Sequence, residues 1–178
     1  MLAGVSDNLA KYAQLRSVDL PNSALPAIRF DPQTPAPIPA SPRRPVSVRP
    51  HKLPPLPDDL EDLAFWPVTH LSTLVRTRQV TSRQLTEMYL ARLKRIGPRL
   101  ECVVTLTEEL ALEQARRADE EIAQGVYRGP LHGIPWGAKD LLATKGIKTT
   151  WGATPYKDQV IDMNATVVER LAAAGAVL

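Results

Sequence analysis

The sequence predicts a body of helices alternating with short strands behind a proline-rich arm, and three observations predict it. Twelve of the chain's seventeen prolines fall between Pro21 and Pro57, a density that favours extended, polyproline-type chain over helix. From Asp58 onward, apolar residues recur at helical spacing in two long stretches, as in helices with one buried face. Between and after them lie short apolar runs rich in Val, Thr and Leu, which read as strands.

The elements follow in order. Ser6 to Ser17 reads as a short helix with Leu9, Tyr12 and Leu15 on one face. The segment from Pro21 to Pro57 reads as a strap or linker, so the chain divides into residues 1–57, a helix plus extended arm, and residues 58–178. Thr81 and Gln84 have the spacing of a capping box. Leu85, Met88, Tyr89, Leu93 and Ile96 then form one stripe, which Gly97-Pro98 is expected to stop. Cys102 to Leu106 is expected to be a strand, with Cys102 a packed structural thiol. Glu108 to Gln124 reads as a second strong helix whose Ala111, Ala115, Ala118 and Ile122 face inward, small enough for close packing. Asn164 is expected to cap a helix running through Val167, Val168 and Leu171, with Gly175 as its stop. Ala176, Val177 and Leu178 begin a strand. A strand of three residues would leave backbone groups unpaired, so the sequence reads as a fragment, expected to be poorly stable or aggregation-prone alone.

Composition removes several function classes. The 178 residues are 44% apolar, which is globular. Cys102 is the single cysteine, excluding an intramolecular disulfide and a Cys-rich metal site. His51, His70 and His132 are far apart and lack metal-ligand spacing. No apolar run approaches the roughly 18 to 20 residues of a membrane span, and residues 1–20 lack the pattern of a signal peptide. A cytoplasmic location is therefore expected, provided Met1 is the true start. The net charge of +3 resolves into +4 for residues 1–57 and −1 for residues 58–178. The basic excess belongs to the arm, where Arg43, Arg44 and Arg49 have no interleaved aromatics and read as a solvated patch rather than a nucleic-acid site.

The stretch "GIPWGAKDLL", residues 133–142, sets Lys139 among apolar or featureless neighbours. Lysine is among the residues least often buried without a partner. A phosphate-binding loop is a poor reading: Gly133 and Gly137 are separated by three residues rather than four, Ala138 intervenes, and Asp140 stands where Ser or Thr would hold magnesium. A structural lysine paired with Asp140 or Asp162 is one remaining reading. A catalytic base is the other, since desolvation by apolar flanks favours the neutral amine that can accept a proton. Spacing alone leaves both open.

"GPLHGIPWGAKDLLATKGIKTTWGATPY", followed by "DMNATVVERLAAAGAVL", resembles the N-terminal part of an amidase signature enzyme. In that family a Gly-Ile-Pro-x-Gly-x-Lys-Asp segment carries the lysine of a Ser–cis-Ser–Lys triad. Upstream, "SRQLTEMYLARLKRIGPRLECVVTL" resembles the leading helix and first strand, and "EELALEQARRADEEIAQGVYRGPLHG" the next helix. The resemblance runs from about Asp58 to Leu178. "NLAKYAQLR" with "LPNSALPAIRFDP" resembles an extension ahead of some bacterial amidases.

The resemblance implies an α/β fold, the N-terminal part of the amidase signature fold, with a mixed β-sheet covered by helices. It implies amide C–N hydrolysis by acyl transfer, with Lys139 as the triad lysine, drawing a proton through a bridging serine from a nucleophilic serine. No serine follows Ser82, so Lys139 is the only triad member present and the chain alone is expected to be inactive. His132 is expected to be structural or a pocket wall. Thr144, Gly146, Thr149, Thr150, Trp151 and Gly152 are expected in a loop near the cleft, none of them catalytic. The expected partner is a small-molecule amide, with no cofactor, metal, nucleic acid or membrane, and with a homodimer left open. Two alternatives stand beside the amidase. One is the A-type chain of a glutamyl- or aspartyl-tRNA amidotransferase, against which the proline-rich arm argues. The other is a non-catalytic interaction protein derived from an amidase.

Overall fold

The computed structural model describes residues 2–21, 24 and 52–178, in two separate units, Met1–Ser47 and Val48–Leu178. In the first, helix α1 spans Leu2–Arg16 and closes with the Ser17 hydroxyl donating to the Gln14 carbonyl at 2.7 Å. Most of the proline-rich stretch, with Arg43, Arg44, Arg49 and His51, lies outside the described residues.

The second unit begins with a short 3-10 helix, Leu60–Phe65, capped by the Asp59 carboxylate on the Glu61 N–H at 2.8 Å. Helix α2 (Val68–Arg76) follows, then α3 (Ser82–Leu100), α4 (Glu108–Ala123) and α5 (Thr166–Ala173). The core lies where α2, α3 and the lysine-bearing segment meet, built from Leu63, Leu71, Leu74, Val75, Leu85 and Ile134. α3 packs on α4, and the buried Ala111, Ala115 and Ala118 give the small-residue face that the sequence predicted.

The start of α3 is tied down twice. Thr81 and Gln84 form the expected capping box, with bonds of 3.0 and 2.9 Å, satisfying donors a helix start leaves open. Asp119 of α4 adds a second cap, its carboxylate accepting from the Ser82 N–H at 2.7 Å and the Arg83 N–H at 3.0 Å. The Ser82 hydroxyl, fully buried, donates to the Gly133 carbonyl at 2.7 Å. One helix terminus thus holds both α4 and the entry to the lysine segment. Gly133 must be glycine: its φ is +76°, and a Cβ there would lie 2.9 Å from the Ser82 Cβ.

Sheet structure is sparse. Among the described residues it is limited to two isolated bridges, Pro135 with Val177 in parallel and Lys148 with Val160 antiparallel. The parallel pair is held by Gly133 N–H on the Gly175 carbonyl (2.8 Å), Val177 N–H on Ile134 (3.0 Å) and Trp136 N–H on Val177 (2.8 Å). The Leu178 backbone, expected to lack partners, donates to Gln114 Oε1 at 2.8 Å and accepts from the Thr107 hydroxyl at 3.1 Å.

Several expectations need correction. α3 runs through Gly97-Pro98 to Leu100. Pro98 gives up one helical N–H and crowds the carbonyl one turn before it, and only two further residues follow it in the helix. Gly97 also lacks the Cβ that would meet the proline ring. The stop is Glu101, in the left-handed region at φ 49°. Residues 102–106 form no strand, and Cys102 is exposed rather than packed. β-propensity needs neighbours, and this run has no pairing strand among the described residues. It folds over the end of α3 instead, where Val103 would be 3.0 Å from a Cβ on Gly97. Asn164 does not cap α5, whose N-cap is Ala165. Its side chain accepts from the Lys145 N–H at 2.8 Å and so braces the loop after the lysine segment.

Candidate active site

Lys139 lies on the wall of a cavity of about 420 Å³ between α3, the 102–107 segment and the parallel pair. Leu90, Leu93, Val103, Leu106, Trp136 and Val177 make much of its lining apolar. Thr86, only 2% exposed, also lines it, and its hydroxyl has no hydrogen-bond partner among the described residues. A cavity of this size, apolar over much of its wall with polar groups such as Thr86, Tyr89, Lys139 and Thr144 on it, has the character of a small-molecule site.

The lysine segment is positioned by backbone bonding before and after Lys139. Before it, the 133–136 run is zipped to 175–177. After it, the Leu142 N–H donates to the Lys139 carbonyl at 2.9 Å, folding residues 139–142 into a turn. The side chain itself is exposed, not desolvated as its apolar flanks led one to expect. Gly137 is exposed and Ala138 half-buried, so the apolar composition of the flanks does not translate into burial.

Neither carboxylate offered as a partner takes the ammonium. Asp162 pairs with Lys145 at 3.0 Å. Asp140 accepts from the Thr150 N–H at 2.8 Å and from the Thr150 hydroxyl. Burial pushes the Asp140 carboxyl up, but the Thr150 and Gly152 hydrogen bonds outweigh it and hold the group below its usual range. No ion pair or side-chain hydrogen bond of Lys139 occurs among the described residues. Of the expected loop residues, Thr144 lines the cavity, whereas Gly146 and Thr149 to Gly152 do not.

His132 is structural. It is 1% exposed, with Nε2 3.1 Å from Glu121 Oε2 and Nδ1 accepting the Arg128 N–H at 3.2 Å. An acceptor Nδ1 places the ring hydrogen on Nε2, facing the carboxylate, in the neutral form. Burial lowers its pKa from the ordinary 6.5, outweighing the opposing pull of Glu121. The folded state therefore favours the neutral ring. Its contribution is fully present above about pH 6.5 and is lost as pH falls through the lower folded value. The carboxylates held low by arginine or threonine, Glu61, Glu113, Glu121 and Asp140, lose theirs at more acid pH. Urea unfolding at about pH 7.5 and 5.5 should show lower stability at the acid value, and a His132→Gln variant should show a smaller difference between the two. An unchanged difference in the variant would contradict this.

Comparison with known proteins identifies the family. The Amidase family model matches residues 84–178. A putative amidase, AmiD, of Mycobacterium tuberculosis (strain ATCC 25618 / H37Rv) is 46% identical over 111 residues, 62% of this chain and 23% of the relative. A second relative, from the glutamyl-tRNA(Gln) amidotransferase of Methylococcus capsulatus, is that enzyme's A-type chain. It is 43% identical over 111 residues, covering the same shares. Among solved structures, the native peptide amidase from Stenotrophomonas maltophilia superposes with a TM-score of 0.60 at 37% identity, over 66% of this chain and 24% of that one. The chain belongs to the amidase family, and its structural neighbours have the amidase signature fold. It spans about a quarter of the length of the relatives it matches.

Two features of the site had no signal in the sequence. The Asp140–Thr150 contact spans ten residues, and the Ser82–Gly133 bond spans fifty-one; no local spacing marks either.

Proposed function

We propose that residues 58–178 form the opening portion of an amidase domain that hydrolyses an amide C–N bond by acyl transfer, with Lys139 as its proton-transferring lysine. One observation carries the reading. In a segment matched to the Amidase family, Lys139 presents an uncommitted ammonium to the wall of an apolar cavity. No serine follows Ser82, so on this reading Lys139 is the one member of a Ser–cis-Ser–Lys triad that residues 83–178 supply. Lys139 in its neutral form accepts a proton through the bridging serine as the nucleophilic serine attacks the amide carbonyl. The amine or ammonia leaves with a returned proton, and water then releases the acyl group as a carboxylate.

The parallel pair at Pro135 and Val177 is on this reading the nucleus of a mixed, helix-covered sheet in an α/β fold, with the proline-rich residues as an arm ahead of it. General-base action requires that the exposed lysine be covered from water, since desolvation favours the neutral amine. The substrate is a small-molecule amide, and no cofactor, metal, nucleic acid or membrane takes part. No helix of the described residues is long and apolar enough to cross a membrane; the setting proposed here is cytoplasmic. A homodimer is compatible with this scheme. The 43% identity to an amidotransferase chain supports a second reading, in which the same chemistry delivers ammonia to a partner protein.

The test uses two polypeptides, residues 1–178 alone and residues 1–178 joined to the remaining three quarters of a family amidase. On a panel of primary amides and anilides the first should show no turnover and the second should hydrolyse at least one. Turnover by residues 1–178 alone would refute the assignment of the nucleophile. Inactivity of a folded joined chain would refute the amidase reading.

A further inference from the structure

We propose that Asp140 is a positioning residue, whose carboxylate ties the turn at residues 149–152 to the backbone carrying Lys139 and so fixes the point from which the lysine side chain projects. The inference rests on the reading of Lys139 as the functional lysine. It is carried by four hydrogen bonds converging from three consecutive residues. Asp140 Oδ1 accepts from the Thr150 N–H at 2.8 Å, and Oδ2 accepts from the Thr150 hydroxyl. That hydroxyl in turn accepts the Gly152 N–H at 3.2 Å, while the Asp140 carbonyl accepts the Trp151 N–H at 3.1 Å.

The turn held this way is strained. Trp151, a bulky residue, sits at φ 55°, with Gly152 beside it at φ 67°. A non-glycine residue persists there only when its surroundings over-determine it, a condition found often at functional sites. Asp140 supplies the determination from one side. From the other, the Trp151 ring packs on Tyr156 with centroids 4.7 Å apart.

Charge bookkeeping points the same way. Asp140 is the nearest carboxylate to Lys139 in sequence, and an ion pair between them would hold the ammonium protonated. The Thr150 N–H and hydroxyl take up the Asp140 oxygens instead, and Lys139 is left without a carboxylate partner among the described residues. Asp140 thus anchors the chain one residue from the lysine without neutralising it. Proton transfer demands placement within a fraction of an ångström, so an anchor adjacent to the transferring group acts on rate through geometry.

The experiment needs no amide turnover. The parent chain and the Asp140→Ala, Thr150→Val and Thr150→Ser variants are compared by amide hydrogen exchange and by trace acetylation with acetic anhydride, read lysine by lysine by mass spectrometry. In Asp140→Ala, exchange at Thr150 and Trp151 should rise about tenfold or more. Acetylation of Lys139 should change by about threefold relative to Lys52 and Lys157. Thr150→Val should reproduce part of both effects, and Thr150→Ser should restore the parent behaviour. An opened turn with unchanged Lys139 acetylation would reduce Asp140 to a loop staple and overturn the proposal; no change in either readout would deny the contact itself. If Asp140→Ala fails to fold, the Val and Ser pair at position 150 makes the same comparison. Failure here leaves the amidase reading standing, because that reading is judged by hydrolysis in the joined chain.

Discussion

Gly175→Ala is expected to cost about 3 kcal/mol or more of folding stability, combining left-handed backbone strain with overpacking. Gly175 has φ +80°, and a Cβ built on it would lie 2.4 Å from His132 Cδ2 and 3.1 Å from Arg128 Cδ. His132 cannot retreat, because both ring nitrogens are engaged, by Glu121 and by the Arg128 N–H. The Gly175 carbonyl also accepts the Gly133 N–H that opens the parallel pair, so backbone movement there would unzip the lysine segment. Gly125→Ala is the matched control: its φ is +85° but nothing lies within 4 Å of its would-be Cβ. It should lose only the backbone share, about 1–2 kcal/mol. Denaturant unfolding of the two variants decides the matter, and equal losses would show that the packing against His132 is looser than described.

Lys139→Ala, in a joined chain that hydrolyses amides, is expected to lower kcat by about 10²-fold or more with little change in KM. The substitution removes a proton acceptor. Because the Lys139 side chain makes no structural ion pair or hydrogen bond among the described residues, its removal should leave the fold and the apolar cavity intact. A loss confined to KM would make the lysine a binding group instead. Full turnover in the alanine variant would exclude it from the chemistry.

What the sequence disclosed and what it concealed divide along physical lines. Helices with strong local signals were legible: the Thr81–Gln84 capping box and the alanine face of α4 occur as read, because spacing within one helix determines both. The lysine segment was legible through its resemblance to a family. The strand expected at residues 102–106 was not, since Cys-Val-Val-Thr-Leu carries strand propensity but lacks a neighbour with which to realise it. The end of α3 was misplaced because Gly97 offers no Cβ to the Pro98 ring, and the helix carries on for two residues past the proline before Glu101 stops it. Lys139 was read as threaded into an apolar interior, yet burial depends on what packs over the segment, and composition does not encode that. The contacts that organise the site, Ser82 to Gly133 and Asp140 to Thr150, join distant positions. No single-sequence periodicity reports such pairs.

On the proposed reading Lys139 promotes formation of an acyl-enzyme on a serine of the joined portion, and rapid-quench mass spectrometry of the joined chain observes that step itself. With an activated amide or anilide in excess, the parent should accumulate about one acyl group per polypeptide within the first turnover, located on a serine beyond residue 178. The Lys139→Ala variant should show that burst slowed by about 10²-fold or more. A burst of equal rate in the alanine variant, or an acyl group carried on Lys139 or Cys102, would contradict the account.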